Sequence, residues 1–301
     1  MLNTPLISII IPAYNYAGTL ERAVNSVLKQ LTEQHELIVI DDGSTDNTQD
    51  VLAELQKRSP SFRVIYKDNG GLASVRNRGI TEAGANYLIF LDADDELDKG
   101  ALSYVEEHIQ KNPTSKMIIS GYTSVWPDEI KRKVSLPSAL PDDPVARVQA
   151  YLIDKTISLA NGATVMHRCL FDKGLYPEGF RSSEDLPVFA QALGNFQCSI
   201  IKQSIALIHK HDDSLRHNVN YHQEVGLALV NEIFNSNRLP EEFNILKNKF
   251  MAQRALSLFR SYYSAGLYPN AKEMYKVALK VDFKSIFKWS YTRKAIRLIF
   301  K

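Results

Sequence analysis

The sequence predicts an α/β protein with a mostly parallel sheet, helices on both faces of that sheet, and a helical carboxyl-terminal extension. From residue 6 to residue 121, short β-branched apolar runs alternate with segments of helical periodicity. The runs are apolar on both faces, which is typical of strands buried between two helical layers. From about residue 221 onward helical patterns dominate, which predicts the extension.

The alternating region contains five predicted strands and four predicted helices. The strands cover residues 6–11, 36–40, 62–66, 87–91 and 116–120, and the helices cover 19–31, 46–57, 72–83 and 97–109. Beyond residue 121 we expect a hairpin over 126–136, a helix over 145–153 and a segment of mixed character over 163–171. We divide the chain into three parts, 1–125, 126–215 and 216–301.

Composition excludes several classes of protein. With 301 residues, 45% hydrophobic and 23% charged, the chain is not collagen, a coiled coil or a disordered segment. Its two cysteines, Cys169 and Cys198, form neither a disulfide framework nor a zinc signature, so we expect a cytoplasmic protein. Prolines and polar residues interrupt the first apolar stretch, and about 20 apolar residues never stand together. We therefore expect no signal peptide and a soluble or peripheral chain.

Positive charge is concentrated at the carboxyl terminus. Residues 280–301 contain seven basic side chains and one acidic one, so this segment carries +6 while the remainder carries −4. Phe283, Ile286, Phe287 and Ile296 are interleaved with the lysines and arginines. We expect one or two amphipathic helices that meet an anionic membrane surface. The alternative is that the apolar stripe packs on the domain and the lysines are solvated.

Three polar loops follow predicted strands, at residues 12–15, 41–46 and 92–95. Because parallel strands end at the same edge of a sheet, we expect these loops to lie together where such sheets bind ligands. Taken alone, the second loop is also explained by a turn in which Asp46 caps the next helix.

The third loop contains Asp92 and Asp94, separated by one residue. If the backbone stays extended, their carboxylates converge on one face and repel each other unless a divalent cation or substrate hydroxyls stand between them. Oxygen ligands favour Mg²⁺ or Mn²⁺ over zinc. The alternative is an Asp-rich turn without a ligand.

Four segments in order, SIIIPAYN (8–15), DDGSTD (41–46), GLASVRNRG (71–79) and LDADD (91–95), resemble the successive blocks of glycosyltransferase family 2, whose members have the GT-A fold. The resemblance implies that residues 1–125 bind a nucleotide-sugar, with a UDP-sugar as the favoured donor. It also implies that residues 126–215 bind a glycan or lipid-linked glycan acceptor. Asp94 is the implied ligand of Mn²⁺ or Mg²⁺. The implied donor contacts are Pro12, Tyr14, Asn15, Asp42, Arg76, Asn77 and Asp92.

One acidic pair further along fits the same family. Glu184 and Asp185 open an apolar helical pattern, and Pro187 requires them to lie at the start of that helix. Without the resemblance they are two acidic residues that complement a helix dipole. With it, Asp185 is the implied general base, and Glu184 is the alternative.

A histidine segment completes the resemblance. His211 stands three residues before Ser214, as in a family loop that covers the diphosphate. His211 is therefore an implied contact for metal or phosphate, and His209 is its competitor.

These observations predict an inverting, metal-dependent glycosyltransferase of surface polysaccharide or glycolipid synthesis, with no nucleic-acid partner, at the cytoplasmic face of a membrane. Two alternatives remain. Residues 91–94 also resemble the nucleophile loop of haloacid-dehalogenase phosphotransferases, but that class has Gly-Thr after the second Asp and places the loop on the first strand. The other alternative is a non-catalytic sugar-nucleotide-binding scaffold, which product formation would distinguish from an enzyme.

Overall fold

A computed structural model of the chain describes residues 4–127, 132–210 and 224–299. Its strands are β1 (Ile7–Ala13), β2 (His35–Asp41), β3 (Arg63–Tyr66), β4 (Tyr87–Phe90), β5 (Glu96–Leu97), β6 (Met117–Val125), β7 (Arg132–Ser135), β8 (Thr164–His167) and β9 (Cys198–His209). They belong to one sheet, in the order β3-β2-β1-β4-β8-β6-β9-β5, with β7 paired to β6.

Helices cover both faces of this sheet, which confirms the predicted fold class. The helices are α1 (Leu20–Leu28), α2 (Thr48–Arg58), α3 (Leu72–Glu82), α4 (Ala101–Lys111), α5 (Pro144–Gln149), α6 (Asp185–Asn195), α7 (Ala228–Ile233), α8 (Asn244–Ser264), α9 (Tyr268–Val281) and α10 (Trp289–Ile299). One apolar layer contains side chains of α1, α2 and α4, and the opposite layer contains side chains of α3, α5, α6, α7 and α8.

The parallel part of the sheet places the three polar loops together. Strand β1 pairs in parallel with β2 on one side and with β4 on the other, and β2 pairs in parallel with β3. The pairing runs to Ala13 opposite Asp41 at the ends of β1 and β2. The loops at 12–15, 41–46 and 92–95 therefore share one edge, as predicted.

The second part of the sheet differs from the simple alternation. Strand β8 comes from the segment predicted to be of mixed character and pairs antiparallel with both β4 and β6. Strand β9, which the sequence did not predict, lies parallel to β6 and ends at His209. Thr164, Val165 and Met166 of β8 are fully buried, so this insertion is part of the core.

Several predicted boundaries shift for local reasons. The helix predicted from residue 97 begins at Ala101, because Glu96 and Leu97 pair with β9 as β5 and Gly100 adopts a positive φ of 77°. The helix predicted over 145–153 is α5 followed by a π-helical turn at Ala150–Asp154. Strands β6 and β7 form an antiparallel hairpin, but its first strand is Met117–Val125, which ends before the predicted span of 126–136, and only β7 falls within that span. Residues 128–131 lie outside the described residues.

The carboxyl-terminal region is helical, as predicted. Helices α8 and α9 pack against each other and are joined at residues 265–267, where Gly266 has a φ of 76°. Helix α10 packs on this pair through Leu298, which lies in a cluster with Phe259 and Ala271. Among the described residues, no helix has both the length and the apolarity to span a bilayer.

Candidate active site

Asp42 fixes the loop that follows β3. Its backbone N–H donates to the carbonyl of Ala13 at 2.8 Å, which sets it just beyond the end of β2. Its buried carboxylate accepts hydrogen bonds from Lys67 Nζ at 2.5 Å, Gly70 N at 2.9 Å and Gly71 N at 2.8 Å. The charge of Asp42 is therefore balanced by a lysine and two backbone donors. Sequence reasoning missed Lys67, since a lysine at a strand end carries no distinguishing signal.

Asn15 ties the first loop to the second. It has a φ of 59°, a region that Asn tolerates better than most residues. Its Oδ1 accepts from the backbone N–H of Thr45 at 2.8 Å and of Asp46 at 3.3 Å, while its own N–H donates to Ser44 Oγ at 2.9 Å. We call the three loops that Asn15 and Asp42 brace, residues 12–15, 41–46 and 67–71, the donor rim.

Aromatic side chains line the first loop. Pro12 is buried within β1, whereas the ring of Tyr14 is 44% exposed at the edge of the sheet. Burial raises the pKa of Tyr16, and the nearby carboxylates of Asp94 and Asp92 raise it further. The loop at residues 12–15 thus presents one exposed aromatic ring and lies beside the acidic loop at residues 92–95.

The loop after β4 is a turn, which corrects the expectation of an extended backbone. The N–H of Asp95 donates to the carbonyl of Asp92 at 3.0 Å, so the chain folds back within four residues. Arg22 of α1 donates to the backbone carbonyl of Asp94 at 2.5 Å and fixes the turn from the other side. The carboxyl groups of Asp92 and Asp94 are both half-buried.

Arg76 joins this turn to α6. Its side chain is buried, and its guanidinium donates to Glu184 Oε1 at 2.7 Å and to Asp92 Oδ1 at 3.1 Å. It also stacks over the ring of Tyr176, at 5.4 Å from the ring centroid. One cation on α3 therefore links carboxylates from two distant parts of the chain.

Asn77, the neighbour of Arg76, is engaged elsewhere. Its side-chain amide donates to the carbonyl of Tyr176 and to Glu178, both at 2.9 Å, and accepts from the N–H of Tyr176 at 3.0 Å. All three contacts hold residues 176–178 against α3. Of the two implied donor contacts on α3, Arg76 is the one bonded to the acidic loop at residues 92–95.

The acidic pair lies at the start of α6, as Pro187 required. Glu184 is the N-cap residue and Asp185 the first helical residue. Glu184 is buried and bonded to Arg76, whereas Asp185 is half-buried. Burial raises the pKa of Asp185 to about 6, Glu184 contributes in the same direction, and Arg76 opposes both.

Negative charge exceeds positive charge in this corner of the molecule. Burial raises the pKa of Asp92, an effect that Arg76 opposes and Asp94 enhances. Burial also raises the pKa of Asp95 to about 8, with further contributions from Asp92 and Asp94. We call this group of residues the acidic corner. It comprises Arg76, Asp92, Asp94, Asp95, Glu184 and Asp185.

Buried polar atoms without partners also lie in this region. Among the described residues, Arg76 Nε, Tyr176 Oη and Ser182 Oγ are buried and have no hydrogen-bond partner. Buried polar groups in folded proteins are almost always bonded, so these atoms suit contacts with substrate or ordered water. Tyr176 and Ser182 were not predicted from the sequence.

The carboxylate oxygens at this site fit a divalent cation that is held jointly by the protein and a substrate. Within residues 4–127, 132–210 and 224–299, no three His, Cys, Asp or Glu side chains converge to hold an ion by themselves. A Mg²⁺-type ion commonly takes one or two carboxylates together with substrate phosphates, and the half-buried Asp94 supplies such a carboxylate.

The structure describes one of the two candidate histidines, His209. The ring of His209 lies with Nε2 at 2.8 Å from Glu96 Oε1, and its backbone N–H donates to Asp95 Oδ1 at 2.8 Å. His209 therefore supports the acidic turn from the end of β9. His211 lies outside the described residues.

Comparison with known proteins identifies the class. The sequence model described as glycosyl transferase family 2 matches residues 8–176. This match spans more than half of the chain, so the protein belongs to glycosyltransferase family 2. The family resemblance drawn from the four sequence blocks is thereby confirmed.

Two bacterial relatives match about half of the chain. Chondroitin synthase of Pasteurella multocida is 35% identical over 145 residues, which are 44% of this chain and 15% of that protein. A putative teichuronic acid biosynthesis glycosyltransferase of Bacillus subtilis, TuaG, is 33% identical over 142 residues, 46% of this chain and 56% of the relative. The chain thus spans less than two thirds of the length of these relatives.

A solved structure matches almost the whole chain. Residues 1–349 of S. aureus TarS, in complex with UDP-GlcNAc, superpose with a TM-score of 0.71 at 18% identity, covering 97% of this chain and 89% of that one. At this identity the likeness concerns the fold, and it includes the carboxyl-terminal helices.

Proposed function

We propose that this chain transfers a sugar from a nucleotide-diphospho-sugar to an acceptor hydroxyl, with inversion at the anomeric carbon. The observation that carries the proposal is the adjacency of a braced donor rim to an acidic corner that contains a half-buried carboxylate of raised pKa, Asp185. Membership of glycosyltransferase family 2 supports the reaction class.

In this proposal the donor lies across the rim. The exposed ring of Tyr14 stacks against the base, and Pro12, Asn15 and Asp42 shape the loops around base and ribose. Asp92 approaches the ribose, held in place by Arg76. We assign a UDP-sugar as donor. The structure of TarS residues 1–349 in complex with UDP-GlcNAc, which has a similar fold, supports this assignment.

Asp94 would hold a Mn²⁺ or Mg²⁺ ion together with the donor diphosphate, and His211 is the proposed additional contact. When bound, such an ion neutralises charge on the leaving diphosphate. The chain's own contribution is to place Asp94 on a fixed turn, through the bonds of Arg22 and of the Asp92 carbonyl.

Asp185 is the proposed general base. A carboxylate with a pKa of about 6 is largely ionised at neutral pH and is a stronger proton acceptor than an ordinary Asp. Glu184 is less suited, because it is buried and bonded to Arg76. Arg76 bonds Glu184 at the start of α6, and the charge of Asp92 contributes to the raised pKa of Asp185, which supports a shared site for the two carboxyl groups.

The acceptor we propose is a glycan or lipid-linked glycan of surface polysaccharide synthesis. Support comes from the relatives, whose names refer to chondroitin and teichuronic acid. We also propose a cytoplasmic location, in keeping with two cysteines that are both free.

The test is product formation from a panel of nucleotide-sugars with Mn²⁺ or Mg²⁺, using mixed glycan and lipid-linked acceptors. Release of nucleoside diphosphate together with a glycosylated product of inverted configuration is expected. Donor binding without turnover, under conditions in which Asp185→Asn behaves like the wild type, would instead identify the non-catalytic scaffold.

A further inference from the structure

The turn between α9 and α10 exposes three aromatic side chains in seven residues. Phe283 is 68% exposed, Phe287 79% and Trp289 67%. Large apolar side chains are normally buried in a soluble fold, and a cluster of exposed ones marks an interaction surface. We call Phe283, Phe287 and Trp289 the aromatic tip.

The tip is held on a firmly packed base. Asp282 Oδ1 accepts from the N–H of Lys284 at 3.1 Å and caps the 3-10 turn at Phe283–Phe287. Thr292 of α10 donates to the carbonyl of Ile286 at 2.6 Å and bonds to the hydroxyl of Tyr275 on α9 at 2.8 Å. The exposed rings therefore project from a fixed turn.

Only part of the basic segment is available for docking. Leu298 of α10 is fully buried against α8 and α9, and the ring of Tyr291 packs near Phe259. The expectation that whole amphipathic helices present their apolar stripes is thus replaced by a narrower surface at the turn. The alternative, in which the stripe packs on the domain, holds for α10 at these positions.

Charge around the tip is mainly positive. Lys280, Lys284 and Lys288 are all exposed and flank the aromatic side chains, and Asp282 is the one acidic residue between positions 280 and 299. Aromatic rings next to lysines match the boundary of an anionic bilayer, where rings lie at headgroup level and ammonium groups meet lipid phosphates.

We propose that the aromatic tip and its three lysines dock the protein on an anionic lipid bilayer. The docking does not depend on the proposed transfer reaction, since it uses residues outside the donor rim and the acidic corner. It would hold the enzyme at a surface where lipid-linked acceptors are concentrated.

Flotation of the full chain with phosphatidylglycerol/phosphatidylcholine vesicles tests this proposal. We expect binding that weakens as salt rises, and little binding to vesicles of phosphatidylcholine alone. Replacing the tip by Phe283→Ser, Phe287→Ser and Trp289→Ser should reduce binding by roughly tenfold or more. The matched control removes exposed apolar side chains elsewhere, through Tyr104→Ser, Ile245→Ser and Leu267→Ser, and should bind like the wild type.

A second pair of variants separates charge from apolarity. Lys284→Gln with Lys288→Gln should weaken binding by roughly tenfold, whereas Lys29→Gln with Lys272→Gln, which removes the same charge from exposed positions elsewhere, should not. Circular dichroism of each variant confirms folding. Equal loss in variant and control, or no vesicle binding at low salt, would overturn the proposal. Self-association abolished by the tip variant, without vesicle binding, would assign the surface to a protein contact and would also overturn it.

Discussion

The donor rim and the acidic corner lie at the same sheet edge but differ in charge balance: the carboxylate of the rim is neutralised, whereas the corner carries excess negative charge. In the rim, the carboxylate of Asp42 is balanced by Lys67 and two backbone N–H groups, and Asn15 is hydrogen-bonded through its backbone N–H and its Oδ1. In the corner, several carboxylates crowd around the buried guanidinium of Arg76, and the pKa values of Asp92, Asp95 and Asp185 are raised.

This difference in charge balance suggests a different role for each region. A satisfied rim is preorganised and needs only a shape that fits it, so it suits recognition of a base and ribose. A corner with excess negative charge is stabilised by a cation or by proton uptake. The rim should therefore govern donor affinity, and the corner should govern metal dependence and turnover.

The largest effect is expected for Asp94→Ala, which removes the carboxylate proposed to hold the metal. Transfer should fall on the order of a thousandfold, since metal stabilisation of a leaving group contributes several kcal/mol. Steady-state kinetics with Mn²⁺ measures this loss, and the thermal midpoint should change little because the side chain is half-buried on a turn. Asp50→Ala, at an exposed position on α2, is the matched control. Wild-type turnover in excess chelator would contradict the assignment.

Asp185→Asn should have the next largest effect. It preserves shape but removes the proton acceptor, so kcat should fall by roughly a hundredfold while the donor dissociation constant persists. Kinetics combined with donor titration separates the two quantities, and Asp172→Asn, at the exposed end of the 3-10 turn Arg168–Asp172, serves as control. Unchanged kcat would move the role of base to Glu184 or elsewhere.

The pH dependence of the wild type should reveal the same group. Because the pKa of Asp185 is raised to about 6, the base is protonated below that pH, and kcat/KM should rise with pH and level off above it. At pH 5 the rate should be about tenfold below the plateau. The same profile measured on Asp185→Asn should lack this acid limb, and its persistence would show that another group titrates.

The smallest effect is expected in the rim. Asn15→Ala removes an acceptor of two backbone hydrogen bonds and places Ala at a φ of 59°, so stability should fall by about 1–2 kcal/mol and donor affinity several-fold, with kcat unchanged. Asn15→Asp keeps the acceptor oxygens and should lose less. Denaturant melts and donor titrations compare the two variants. Equal losses in both would show that the bonds to residues 45–46 do not hold the rim.

The sequence was most informative where the physics is local. Strands β1 to β4 are apolar runs between helices of clear periodicity, and Pro187 alone placed Glu184 and Asp185 at a helix start. Strand β8 is a four-residue piece whose antiparallel position between β4 and β6 depends on long-range packing. Its placement had no local signal.

The same limit applies to the site. The residue types in the loop at 92–95 indicated a metal and the family resemblance implied a nucleotide, but the pairing of the site residues depends on contacts between distant segments. Arg76 meets Glu184 across 108 positions, and Asn77 meets Tyr176 across 99. Periodicity and spacing do not report contacts of that range, so the role of Asn77 as a brace for residues 176–178 emerged only from the structure.

The central claim is that the acidic corner holds a divalent cation only together with the donor diphosphate. Calorimetric titration of Mn²⁺ into the full chain, with and without saturating UDP, tests it most directly. Because the described residues offer no three converging protein ligands, we predict weak Mn²⁺ binding alone, and binding at least roughly tenfold tighter with UDP. The enhancement should be reciprocal and should vanish in Asp94→Ala. Equal Mn²⁺ affinity with and without UDP would contradict the account.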